Sequence, residues 1–131
     1  MSVTNIIPLL YVADPQASLA FYEGALGFTV VQQVAPDAGY FWCQLESGGA
    51  RLMLNSYGDG RAATLRLPDD FGCILYFGCD DVHALTARLR EKGYEVTGPE
   101  AQDYGLDQIF LRDPDGLQVC ITSPTDFSRR S

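Results

Sequence analysis

Four cysteines, one histidine and a surplus of carboxylates are the groups in this 131-residue chain that could act on a substrate or hold an ion. Cys43, Cys73, Cys79 and Cys120 show no CxxC spacing, so they read as reduced thiols rather than a disulfide frame or a zinc clasp. A thiol near its free pKa is mostly protonated at neutral pH, and no Lys, Arg or His adjoins Cys73 or Cys120 in the sequence. Buried free cysteine then acts as a small apolar plug; the chemical alternative is a soft-metal or redox pair. His83 falls on a helical stretch, off its Val82-Leu85-Leu89 face, which predicts a solvated surface residue. No acid–base or nucleophile–base pair stands at diagnostic spacing. The remaining chemistry is that of rings. Tyr11, Trp42, Tyr57, Phe77 and Tyr104 lie in or beside strand-like runs, where they can stack on a flat ligand or line its edge.

Those groups are positioned by a repeat. A shift of 66 positions lays Asp14 on Asp80, Leu19 on Leu85, Gly27 on Gly93, Phe28 on Tyr94 and Val30 on Val96. The first half opens with an apolar, β-rich run at 5–12, where Pro8 is tolerable at an edge or bulge. Asp14 can cap a following helix, Pro15 suits its first turn, and Leu19, Tyr22 and Leu26 share one of its faces. Gly27 can end it in a left-handed cap. Strands are predicted at 29–34, 40–46 and 51–55, separated by the turn signals Pro36-Asp37-Ala38-Gly39 and Ser47-Gly48-Gly49. The second half repeats the order: a strand at 72–79, a helix capped by Asp80 or Asp81, and strands near 94–97, 107–112 and 117–122. The turn Asp113-Pro114-Asp115-Gly116 joins the last two. The expectation is an α+β fold of two βαβββ modules, 5–56 and 72–123, within a single domain spanning 1–131.

Composition narrows the function classes. Hydrophobic types at 47% and charged types at 20% are those of a globular chain able to build its own core. Seventeen acidic against nine basic residues give a net charge of −8, so the cationic stripe that nucleic acid requires is missing. No apolar run reaches the roughly 18 residues of a membrane span, and Met1-Ser2-Val3-Thr4-Asn5 lacks the features of a signal peptide. A cytoplasmic protein with neither nucleic-acid nor membrane partners is expected.

The segments LLYVADPQASLAFYEGALGF at 9–28 and YGLDQIFLRDPDGLQV at 104–119 resemble the opening and closing segments of the vicinal oxygen chelate superfamily. That bacterial-like resemblance embraces glyoxalase I, extradiol dioxygenases, and fosfomycin- and bleomycin-resistance proteins, and it covers nearly the whole chain in order. It implies two βαβββ modules forming a cupped mixed sheet. Metal-dependent members carry His or Glu on the first and fourth strands of each module. Carried over, seven residues before the capping acid, the first-strand positions are Ile7 and Cys73; the fourth-strand positions are Met53 and Cys120. None offers the nitrogen or oxygen donor that a catalytic divalent ion needs, so no metal and no other cofactor is expected. Strand alternation puts Leu9, Tyr11, Arg51, Asn55, Leu75, Phe77, Gln118 and Thr122 on the same face as those positions. Trp42 or its neighbour Phe41 adds a ring, and Tyr57 reaches the rim.

The resemblance then points to the bleomycin-resistance branch. It implies a metal-free homodimer holding an aromatic or cationic small molecule, with an antibiotic-resistance role. Its expected contacts are Tyr11, Trp42, Met53, Tyr57, Cys73, Phe77, Tyr104 and Cys120. No catalytic residue is assigned. The rival from another class is a glyoxalase-type lyase or isomerase, or a dioxygenase, which requires Glu46 or Asp107 to reach the cavity. A third reading is thiol capture of a soft ion by Cys73 and Cys120.

Overall fold

The computed structural model describes residues 1–56, 67–68 and 71–125. The chain divides into two compact units, Met1–Arg66 and Leu67–Ser131, each built around a four-stranded mixed sheet. Tyr57 lies outside the described residues.

The first unit runs β1 (Leu9–Tyr11), α1 (Pro15–Leu19), β2 (Thr29–Gln33), β3 (Phe41–Ser47) and β4 (Ala50–Ser56), with sheet order β1-β4-β3-β2. The first strand is shorter than its apolar run, because Pro8 has no amide hydrogen and only its carbonyl joins the ladder, accepting from Met53 N at 2.8 Å. Asp14 caps α1 as its sequence predicts, Oδ1 accepting from Gln16 N at 3.0 Å. The helix then widens into a π-helical stretch, Ala20–Ala25, in which Leu26 N donates to Phe21 O five residues back at 3.0 Å. That widening rotates the buried face to Ser18, Phe21, Tyr22 and Ala25, rather than the regular Leu19-Tyr22-Leu26 stripe. These side chains and the helix-side strand residues Cys43, Leu45, Leu52 and Leu54 make a closed core, all of them at most 1% exposed.

The second unit runs β5 (Ile74–Gly78), α2 (Val82–Glu91), β6 (Thr97–Ala101), β7 (Leu106–Arg112) and β8 (Gln118–Pro124), in the matching order β5-β8-β7-β6. Asp81, not Asp80, caps α2, with Oδ1 accepting from His83 N at 3.0 Å and Ala84 N at 3.2 Å. Ser123 Oγ accepts from Val82 N at 3.0 Å and pins the helix start to β8. Strand β6 begins where 94–97 was expected to end, because Tyr94 N still closes the helix end on Leu89 O at 3.1 Å. The turn after β7 is closed by Asp113, whose Oδ1 accepts from the amides of Asp115 and Leu117, each at 2.9 Å. Among the described residues, no helix is long and apolar enough to cross a membrane.

The two units superpose in order but not under one shift. Val12 N donates to Asn55 O and Cys79 N to Thr122 O, so the first and fourth strands correspond at 67 positions, not 66. Six residues separate Tyr22 from the amide that closes on its carbonyl, and five separate Leu89 from its own. The π-helical stretch therefore holds one extra residue, which brings β3 and β7 to a shift of 66. The longer turn of the second unit (Arg112 pairs with Gln118, whereas Glu46 pairs with Arg51) restores 67 for β4 and β8.

Candidate functional site

In each unit the helix covers one face of the sheet and leaves the other open. The pairing register assigns every strand residue to one of the two faces.

In the first unit, Tyr11, Asn55 and Trp42 stand abreast across β1, β4 and β3. Leu9, Met53 and Gln44 form the next row, and Arg51 faces Glu46 beyond it. Leu54 and Cys43, one step along, are fully buried on the helix side, so these rows occupy the open face. Trp42, rather than Phe41, is thus the ring on this face. Glu46 also lies here, and its Oε1 accepts from Gln44 Nε2 at 3.4 Å. Tyr11, on the edge strand of the sheet, is 45% exposed.

In the second unit, Tyr76 pairs with Cys120 and Cys120 with Phe110, while Gln108 pairs with Thr122. Phe77 pairs with Ile121 and takes the helix side, and Cys73 precedes β5 and is exposed. Both displacements have one cause. Counting seven residues back from the true cap, Asp81, gives Ile74 as the first-strand position, which shifts the face by one residue. Tyr76 and Ile74 are the residues that this correction brings onto the open face, and assigning the cap to Asp81 would have placed them there from sequence. Gln108 carried no comparable signal.

Four side chains on this face are linked. Tyr104 Oη donates to Gln108 Oε1 at 2.9 Å, and Cys120 Sγ donates to the same oxygen at 3.7 Å. The Tyr76 hydroxyl reaches the Cys120 sulfur. Burial pushes the Cys120 thiol up from its ordinary value, and the sulfur beside Tyr76 raises that phenol in turn. At neutral pH the cluster therefore offers hydrogen bonds and ring surface, not charge. Farther along the face, Tyr94, Glu95, Thr97, Phe110, Arg112 and Gln118 line a hollow of about 500 Å³, within the usual range for small-molecule pockets.

The residues expected on helices and rims are also relocated. His83 is only partly exposed and is paired: its Nε2 lies 2.8 Å from Asp107 Oδ2, and Asp107 also accepts from Thr125 Oγ1 at 3.0 Å. Asp107 is buried at the helix side of β7, away from the open face.

The positions that resemblance assigns to metal ligands are thus Ile7, Met53, Ile74 and Cys120. Two have no donor, one is a thioether, and one is a thiol held protonated by burial. Among the described residues no three His, Cys, Asp or Glu side chains converge. This set does not fit a catalytic divalent ion.

Thiol reactivity should follow the same geometry. Burial holds Cys43 up to about 11 and raises Cys79, whereas Cys73 is exposed. Alkylation with iodoacetamide at neutral pH, mapped by peptide mass, is expected to mark Cys73 first. Cys43 should lag by a factor on the order of 100 from its thiolate fraction alone, and more from its burial. Fast labelling of Cys120 would contradict the neutral cluster and favour soft-ion capture.

Solved structures share this architecture. TnmS3, an antibiotic-binding protein from Streptomyces sp. CB03234, is 27% identical, with 95% of this chain and 99% of that one covered at a TM-score of 0.70. A glyoxalase/bleomycin resistance protein from the same organism is 28% identical, covering 92% and 100% at a TM-score of 0.65. A bleomycin-binding protein solved in complex with bleomycin is 24% identical, covering 94% and 100% at a TM-score of 0.66. No curated protein matches the chain. The model of the Glyoxalase/Bleomycin resistance protein/Dioxygenase superfamily matches residues 5–121, from ahead of β1 to within β8. With nearly the whole of both repeats inside that match, the chain belongs to this superfamily.

Proposed function

We propose that this protein binds and sequesters a flat aromatic or cationic small molecule without a metal ion, as a homodimer whose two repeats, 5–56 and 72–123, make one vicinal-oxygen-chelate domain. The observation that carries this reading is the exposure of rings on the open sheet faces. Tyr11, Tyr76 and Tyr104 are 45%, 60% and 63% exposed, while the helix sides of the same sheets are closed. Exposed rings beside a few convergent polar groups are the usual lining of a small-molecule site. The antibiotic-binding and bleomycin-bound structures among the similar folds support a ligand of antibiotic type. Of the residues named from sequence, Tyr11, Trp42 and Met53 belong to the open face of the first unit, and Tyr104 and Cys120 to that of the second, where Tyr76 replaces Phe77.

Magnitudes separate the roles of stacking and charge. Covering about 200 Å² of ring surface contributes about 5 kcal/mol gross. The net charge of −8 acts over a Debye length of about 8 Å at physiological salt, so it raises the association rate of a cation more than the final affinity.

The test is a titration of the full chain with bleomycin and a panel of planar antibiotics, followed through Trp42, the single tryptophan. Saturable quenching that survives exhaustive chelation is the expected result. A flat signal across the panel, or stoichiometric Ni, Zn, Mn or Fe in the purified protein, would overturn the reading.

A further inference from the structure

We propose that Gln108 reads a hydrogen-bond acceptor on the ligand, which makes the open face of the second unit a subsite for planar ring compounds bearing a carbonyl oxygen. The inference rests on the small-molecule reading above and specifies its chemistry.

Gln108 sits in the middle of β7 and is only 6% exposed, yet its carboxamide is half-used. Both of the donors that reach it, Tyr104 Oη at 2.9 Å and Cys120 Sγ at 3.7 Å, converge on Oε1. In the structure both contacts are made by Oε1, so the NH₂ end of the amide is turned away from Tyr104 and Cys120. Among the described residues no acceptor reaches the two N–H groups of Nε2, while Oε1, the Tyr104 and Tyr76 hydroxyls and the Cys120 sulfur are engaged. Nε2 is not sealed in: among the described residues Ser18 Oγ is the buried side-chain N/O atom without a partner, so the amide N–H groups meet solvent on the open face, where a ligand acceptor can replace water.

The neighbours say what kind of group would supply it. Tyr76 and Tyr104 lie beside Cys120 and Gln108 with their hydroxyls tied down and about 60% of each residue exposed. Their rings are therefore fixed and bare. Cys120 Sγ lies 3.7 Å from the same Oε1 and holds that end of the amide. A flat molecule lying against these rings can turn one carbonyl edge toward Nε2. A ligand whose polar edge carries only N–H groups would meet a donor with donors, and the site would reject it as a matter of unpaired groups rather than shape.

Two tricyclic probes of similar outline separate the cases: acridone, which has a ring carbonyl, and 9-aminoacridine, a cation whose polar atoms only donate at neutral pH. Gln108→Glu keeps an oxygen for Tyr104 and Cys120 and replaces the amide NH₂ with a second acceptor. Titrations of wild type and this variant should cross over. Acridone is expected to weaken by about tenfold or more in Gln108→Glu, while 9-aminoacridine holds or tightens. In wild-type protein the Gln108 side-chain NH₂ resonances should move with acridone and stay in place with 9-aminoacridine, a readout that needs no variant to fold. If both probes bind and neither the variant nor the amide resonances distinguish them, the role of Gln108 is overturned and the binding reading stands. If neither probe binds wild type, the binding reading itself falls and this inference with it.

Discussion

Gly98→Ala is expected to cost about 2–4 kcal/mol and to loosen the strand that carries Gln108. Gly98 has φ +105°, a conformation that side chains rarely adopt, and a Cβ there would stand 2.7 Å from Gln108 O and 3.4 Å from Ile109 Cα. Both atoms are β7 backbone and cannot swing aside as a side-chain tip could. Strand β6 would have to part from β7 where their pairing already shifts, between Thr97 and Glu100. Gly39→Ala is the control, since Gly39 also has a positive φ but no atom within 4 Å of the added Cβ. It should lose only the backbone preference, about 1 kcal/mol. Urea midpoints of the two variants give the difference. A Gly98→Ala protein as stable as Gly39→Ala would show that the close approach is not a constraint.

Tyr22→Ala should be the most damaging substitution in the first unit, at about 3–5 kcal/mol. Tyr22 is 0% exposed, and its ring meets Phe21 edge-on at 4.9 Å between centroids and Phe28 at 6.4 Å. The π-helical stretch places Phe21 and Tyr22 side by side in the core, so removing one ring strips the other of its partner. Such a loss approaches the whole stability of a marginal fold, about 5–15 kcal/mol. Tyr22→Phe keeps the ring and is expected to lose only about 1 kcal/mol. Denaturant unfolding read by circular dichroism checks both. A Tyr22→Ala loss under about 2 kcal/mol would mean that the helix closes over the vacancy.

Much of the fold was legible because its signals are local. Asp14, Gly27 and the Asp113-Pro114-Asp115-Gly116 turn act within a few residues of themselves, and each does what its type predicts. The face assignments in the first unit also follow from alternation, since Asp14 marks the end of β1 without ambiguity. The second unit was misread by one residue because two adjacent aspartates compete for the cap, and only Asp81 accepts the helix amides. One step in a strand exchanges Phe77 for Tyr76. The helix widening was invisible for a different reason: it depends on the fit of Phe21 and Tyr22 into the core, a tertiary effect without a sequence pattern. His83 and Asp107 are 24 positions apart, so their pairing depends on how α2 lies against β7.

The widened helix and the longer second turn have a practical consequence for protein engineering. They cancel in chain length, so no constant offset relates the halves: 67 fits the first and fourth strands and 66 the third, and an error of one exchanges the two faces of a strand. Imidazoles intended to rebuild an ion centre on the second half belong at Ile74 and Cys120; a graft at Cys73 would land ahead of the strand, in solvent.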